Sequence, residues 1–413
     1  MNVRIAWRVA FLWMIPFSFL LWGSNSRATP PDWAKTAWIE PQDSAMAVTS
    51  PDEYAWRLFI ALNWPAVPGK RDADLTKNFG DSGRTVWESW KLVSGGPEKS
   101  DVYRKGGSAP TSWDAPLDPY CDAFARDAFP LQTELFHKKG VQPDFDTSPT
   151  SLGTDEVRMN ATTLSFIEAN NLYNVEGQEA LYASGTRSIT FPANSKEIKA
   201  QWREISPADA SRYHSCSFHG KIYGLTALHI LTKDLPNWFW ATFEHIDNKK
   251  PENQSKTGYG PWLLPSKDGF ACKSAPFDCE DYPKEIGLEG TKWQYYRLRG
   301  TQTEFVDSFG APIRLGNSQI ETSFQATSSC MTCHAQASIG KRIQSSKGAN
   351  RLNIFEDVFS ARDNVIVSTG PVGIPNPAHF GADGEVAGKP QFVVTYTQLD
   401  FVWSLLRAQR RAP

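Results

Sequence analysis

The sequence predicts an α+β chain: a large mixed N-terminal domain built on an antiparallel sheet, followed by a mainly helical C-terminal domain. Three observations predict it. The middle of the chain holds runs rich in β-branched and aromatic residues, separated by turn-forming stretches. Apolar residues recur at helical spacing on either side of it, at Trp56, Phe59 and Ile60 and again at Phe401, Val402, Leu405 and Leu406. A Cys-x-x-Cys-His motif at Cys330–His334 needs one turn of helix to do its chemistry. The expected division is a leader over 1–28, a mixed domain over 29–304 and a helical domain over 305–413.

The leader comes first. Arg4 and Arg8 precede an apolar run from Val9 to Trp22, and small residues at Ser24, Ser26 and Ala28 suit cleavage. The run is interrupted by Pro16 and is short for a membrane span, and no later segment approaches that length. Loss of Arg4, Arg8 and Arg27 with the leader takes the formal charge from −2 to −5. No basic block marks a nucleic-acid partner.

Pro30 to Pro41 reads as an extended arm. Ser50-Pro51-Asp52-Glu53 then opens a helix, with an N-cap serine, proline at the first helical position and glutamate three residues on, and Pro65 ends it. Gly69 to Asp118 reads as loop, apart from a short helix at Trp87 and Trp90. Strands are expected at Ser188–Phe191, Ile222–Leu231, Trp238–Ile246 and Trp293–Leu298. If the second and third pair as a hairpin across Thr232–Asn237, then Trp238, Trp240, Thr242 and Glu244 share a face with His229. Phe239, Ala241, Phe243 and His245 take the other face. From Thr369 to Pro390 the chain reads as Gly- and Pro-rich loop, and Thr397-Gln398-Leu399-Asp400 opens a terminal helix.

The five residues Cys330-Met331-Thr332-Cys333-His334 carry the chemistry. Two thiols one helical turn apart reach the two vinyl groups of a haem, and the histidine beside the second thiol takes the iron as proximal ligand. With six Cys and seven His in 413 residues, roughly 0.0015 accidental matches are expected. Thiol oxidoreductases carry a similar dithiol, but after a buried apolar strand; here Gln319–Ser329 is mostly polar. A structural zinc site needs a second Cys/His pair, and no second Cys-x-x-Cys exists.

On these residues the segment from about Phe305 onward resembles a c-type cytochrome domain. The resemblance implies a cytochrome c-like helical fold and one covalent haem c, with Cys330 and Cys333 as thioether anchors and His334 as the metal ligand. The run Trp238-Phe239-Trp240-Ala241-Thr242-Phe243-Glu244-His245 is similar to large mono-haem bacterial proteins, a likeness that assigns no activity. The chain departs from the small electron carriers in one respect. Its methionines are Met1, Met14, Met46, Met159 and Met331; none follows His334 to supply a distal ligand, and Met46 or Met159 could serve only if the N-terminal domain folds over the haem. His379, in a Pro-stiffened loop, is a candidate, as are His229 and His245; an open site is the fourth option. His214 and His219, flanking Cys216, form a weaker candidate metal pair.

Four further cysteines, Cys121, Cys216, Cys272 and Cys279, read as structural disulfides of an exported protein. Cys272 and Cys279 suit a local bridge, which would leave Cys121 with Cys216; three connectivities are open. The 16 tryptophans read as core and haem-packing area. The expected function is a periplasmic mono-haem cytochrome passing single electrons between a redox donor and an acceptor protein. The alternative is a haem enzyme or sensor whose open distal site is roofed by the N-terminal domain, favoured by the chain's size. Thiol oxidoreductase chemistry ranks third.

Overall fold

The computed structural model describes residues 30–94, 98–121, 154–248, 265–321, 328–340, 343–345, 348–350, 359–362, 365–368 and 373–412. The expected leader lies outside them. Among these residues, seven strands form one antiparallel sheet. They are β1 (Lys91–Leu92), β2 (Thr154–Met159), β3 (Lys196–Ile205), β4 (Ser215–Phe218), β5 (Lys221–Thr232), β6 (Phe239–His245) and β7 (Tyr296–Gln302). The spatial order is β1-β2-β3-β5-β6-β7, with β4 paired to the start of β5. The tight β4–β5 turn is made by His219 and Gly220, both at positive φ, as a two-residue hairpin requires.

Strand alternation gives the sheet two different faces. Ile198, Ala200 and Trp202 of β3, Leu228 and Ile230 of β5, and Phe239, Ala241 and Phe243 of β6 share one apolar core. The helices α1 (Met46–Thr49) and α2 (Pro51–Leu62) contribute to it, and Trp56 and Phe59 lie 5.0 and 4.4 Å from the Phe243 ring. Ser50 occupies the N-cap of α2, yet its side chain makes no capping bond. Glu53 pairs with Arg57 at 2.6 Å instead of reaching back. Asp52 ties the helix to the sheet through Thr301 Oγ1 at 2.9 Å.

The opposite face is polar at its centre. His229 sits across from Thr242, Leu231 from Trp240 and Ala227 from Glu244, so the expected hairpin face is found, with Trp238 standing just before the strand at positive φ. Glu197 and Lys199 extend these rows onto β3, and Gln302 extends one onto β7. Two helices that the sequence reading passed over, α3 (Ala161–Ala169) and α4 (Val175–Ala183), are each capped by an asparagine, Asn160 and Asn174.

The C-terminal stretch corrects the expectation of a mainly helical, cytochrome c-like domain. Its described helix is one α-turn, α5 (Cys330–His334), with 3-10 turns at Pro377–His379 and Trp403–Arg407. The rest is short antiparallel pairing. β8 (Ser338–Gly340) pairs with β15 (Tyr396–Gln398), and β9 (Ile343–Ser345) with β10 (Gly348–Asn350). β11 (Phe359–Arg362) pairs with β12 (Val365–Ser368), and β13 (Gly381–Val386) with β14 (Lys389–Val394). Local chemistry explains the difference. Ala387 and Gly388 both take positive φ and turn β13 into β14 inside what reads as loop. The terminal apolar stripe does not become an α-helix because Asp400 and Phe401 are left-handed, at φ 50° and 71°. Asp400 is held so by tertiary bonds, from Phe191 N at 2.7 Å and Lys233 Nζ at 2.6 Å.

Ser188–Phe191 is likewise not a strand; it touches the sheet-like pair β8/β15 through a single bridge, Ser188 to Gln398. Residues from both sides of position 304 share a second core on the polar side of the sheet, among them Met159, Leu164, Phe191 and Trp240 with Met331, Ile339, Leu399 and Trp403.

Candidate functional site

The motif helix α5 is a single turn that cannot hold itself, since helix nucleation fixes several residues for one hydrogen bond. Its surroundings hold it. Ser329 caps it through Thr332 N. Gln302, at the end of β7, accepts from Met331 N at 3.2 Å and donates to Ser329 Oγ at 3.0 Å. Thr332 Oγ1 donates to Gly373 O at 2.8 Å, and Trp403 Nε1 donates to Cys333 O at 3.0 Å. Met331 is fully buried in the second core.

Helical spacing then separates the motif's roles. Met331 and Thr332 are buried against the fold, whereas Cys330, Cys333 and His334, at i, i+3 and i+4, share the face that keeps solvent access. Both thiols are unpaired. The other four cysteines are joined, Cys121 to Cys216 and Cys272 to Cys279, the pairing in which the local bridge forms.

His334 is oriented from behind. Its Nδ1 lies 2.8 Å from Phe401 O, a contact in which the ring nitrogen donates, leaving Nε2 as the basic nitrogen. A backbone carbonyl of this kind is the usual outer partner of a metal-binding imidazole. The left-handed Phe401 thus has a task, aiming its carbonyl at the histidine. Trp240 packs on the imidazole with ring centroids 4.6 Å apart. Burial pushes the imidazole down to about 4, so it is neutral near pH 7. Burial, then the Glu321 carboxylate, pushes both thiols up, that of Cys333 to about 12.

The segment from Leu315 to Glu321 crosses the polar sheet face beside α5. Asn317 Nδ2 donates to Thr242 Oγ1 at 2.7 Å, and Glu244 accepts from Ser318 N and Oγ at 2.6 and 2.8 Å. This brings the Glu321 carboxylate to 3.6 Å from His229 Nε2. His229 in turn lies within electrostatic reach of His334 and Lys199.

The other sequence candidates are elsewhere. His245 is buried with both nitrogens engaged, Nε2 on Arg212 O and Nδ1 on Asp247 N, each at 3.1 Å. His214 binds Glu88 at 3.0 Å and stacks on Trp293, while His219 is an exposed turn residue, so the two form no metal pair. The backbone of His379 ends a 3-10 turn; its side chain lies outside the described ones. Met46 belongs to the apolar core on the far face, and Met159 is fully buried in the second core. Sequence reasoning missed Gln302 and Phe401. No motif marks them, because a clamp from a strand end and a backbone carbonyl carry no side-chain signature.

Among the described residues, no three or more His, Cys, Asp or Glu side chains are arranged to hold a metal ion by themselves. None of their helices is long and apolar enough to cross a membrane. No family model, curated protein or solved structure matches the chain.

Proposed function

We propose that this chain carries one covalent haem c on Cys330, Cys333 and His334 and passes single electrons in the periplasm. The observation that carries the reading is the shared face of α5: two free thiols one turn apart and an imidazole whose Nδ1 is already bonded to Phe401 O. The residues fit the group. Each thiol would add across a vinyl double bond, sulfur to the inner carbon and hydrogen to the outer, with no net oxidation. His334 Nε2 would take the iron. Haem supplies a one-electron iron couple when bound. The chain's own residues keep the imidazole neutral, fix its tautomer and pack Trp240 against it.

Two disulfides elsewhere in the chain support export, since such bonds persist in oxidising compartments. A dithiol oxidoreductase would need a thiol lowered toward neutrality, whereas burial raises both here. A haem enzyme or sensor is the second reading. One feature favours it, a cleft of about 870 Å³ beside α5, walled by Phe305, Ala335, Phe380, Phe392 and Phe401.

The test is expression in a bacterial periplasm with a haem-attachment system. The expected product keeps haem through denaturing electrophoresis and shows a c-type reduced spectrum, and Cys333→Ser has incomplete or absent covalent haem. Normal covalent haem in that variant, or none in the parent protein, refutes the assignment.

A further inference from the structure

Haem attachment through α5 leaves the second axial position of the iron unassigned, and the inference that follows rests on that attachment. The sheet face under α5 holds a buried polar atom without a hydrogen-bond partner among the described residues. His229 is 7 % exposed, and among the described residues its Nε2 has no hydrogen-bond partner. Glu321 Oε2, at 3.6 Å, stands beyond hydrogen-bond range and already accepts from Asn317 N at 2.7 Å. A buried imidazole nitrogen left unbonded costs free energy, and such exceptions call for an explanation such as a ligand.

The position of His229 fits one explanation. β5 and β6 pair so that His229 faces Thr242, and Trp240 lies two residues earlier on the same face of β6. Trp240 is therefore the diagonal neighbour of His229, about 7–8 Å away in pairs of this kind. It is also the ring on which His334 rests, at 4.6 Å. The two histidines come from opposite layers, one from α5 and one from the sheet beneath it. Met159 is a poorer candidate: it lies on β2, two strands from β5, packed among apolar side chains. His245 has no free nitrogen.

We propose that His229 Nε2 is the distal axial ligand, making the centre a bis-histidine c-type haem with its second ligand supplied by a central strand of the N-terminal sheet. The consequence is functional. Both axial positions are filled, so the adjoining cleft does not open onto iron, and electron transfer is the activity that remains.

The holoprotein tests this by spectroscopy alone. The parent protein should be low-spin in the ferric state, with the near-infrared magnetic circular dichroism of two nitrogen ligands, and its ferrous spectrum should ignore carbon monoxide. His229→Ala should become high-spin and bind carbon monoxide, and free imidazole should restore the parent spectrum. His229→Met, which offers a thioether from the same strand position, should show a sulfur-to-iron band and a midpoint potential shifted upward. A parent protein that is high-spin or binds carbon monoxide overturns the inference while the attached haem stands. So does a His229→Ala variant that stays bis-nitrogen and low-spin. Should His229→Ala fail to accumulate, the His229→Met spectrum decides: an unaltered bis-nitrogen signature overturns the assignment. Absence of covalent haem from the parent protein removes the underlying reading, and this one with it.

Discussion

Gln302→Ala is expected to unfasten the motif turn α5 while leaving the rest of the sheet intact. The Gln302 side chain, 1 % exposed, is bonded to three residues at the β7 end, Met331, Ser329 and Glu304. Its Oε1 accepts from Met331 N at 3.2 Å, and its Nε2 donates to Ser329 Oγ at 3.0 Å and to Glu304 O at 3.1 Å. The backbone N–H of Met331 can only donate, which fixes the orientation of the amide. Alanine leaves Met331 N without its side-chain partner, and Ser329 Oγ keeps only its weak 3.4 Å contact to Thr332 N. Stranding a buried group costs about 1–3 kcal/mol, so two stranded groups cost about 2–6 kcal/mol. The loss falls on a turn with no helical reserve. Opening of α5 should therefore become about 30-fold more frequent or greater, at 1.4 kcal/mol per tenfold. Hydrogen exchange read by mass spectrometry should show that acceleration in the peptide carrying Met331 and Ala335, with α2 unchanged. Less than a threefold change in the motif peptide would refute the clamp.

Two further outcomes follow from buried charge. Lys233 and Asp400 form an ion pair at 2.6 Å with both side chains 7 % exposed, pinning the β5–β6 connection to the C-terminal segment. Lys233→Met should cost about 3–5 kcal/mol, because it leaves the carboxylate buried and uncompensated. Lys233→Met combined with Asp400→Leu should recover part of it; urea denaturation of the three proteins checks both, and equal stability of single variant and parent would refute the pair's role. Burial raises the Glu197 carboxyl to about 7, against partial relief from the Ser404 hydroxyl and the Arg407 charge. The folded state thus holds a proton that the unfolded chain releases near its ordinary value of 4.5. The stabilisation is present in full below about pH 4.5 and is lost as pH rises through about 7, a decline of about 3 kcal/mol. Glu197→Gln should flatten the stability profile across that window, and an unchanged slope would show that other groups set it.

The β5–β6 hairpin was legible because both runs are rich in β-branched and aromatic residues, while its register, which a slip of one residue would have reversed, was left open by the sequence. β3 was missed although Ile198, Ala200 and Trp202 alternate with Glu197, Lys199 and Gln201. Charged residues on one face read as surface, yet that face is covered by the C-terminal segment, which buries Glu197 and Gln201 and half-buries Lys199. Cysteine pairing was open in the sequence, since spacing alone cannot bring Cys121 across 95 residues to Cys216. The largest error, a helical C-terminal domain, came from treating the fold as part of the motif. The apolar stripe at Phe401–Leu406 fits a helix locally, but Asp400 gains more from Lys233 and Phe191 N than from capping one.

That error bears on how such a site can be built. The attachment chemistry asks for one helical turn and nothing larger, because only residues i, i+3 and i+4 must share a face. In an all-helical domain, neighbouring helices would brace that turn. Here the brace is a sheet: Gln302 grips the turn from β7, Trp240 supports the imidazole from β6, and a left-handed Phe401 supplies the carbonyl to Nδ1. These contacts lie 29, 94 and 67 positions from their partners in sequence, on both sides of the motif, so no local pattern near Cys330 could announce them. A one-turn motif can be carried by any layer that offers an amide, a ring and a carbonyl at the right places. The motif therefore argues for the chemistry at Cys330, Cys333 and His334, and it carries no information about the fold that presents them.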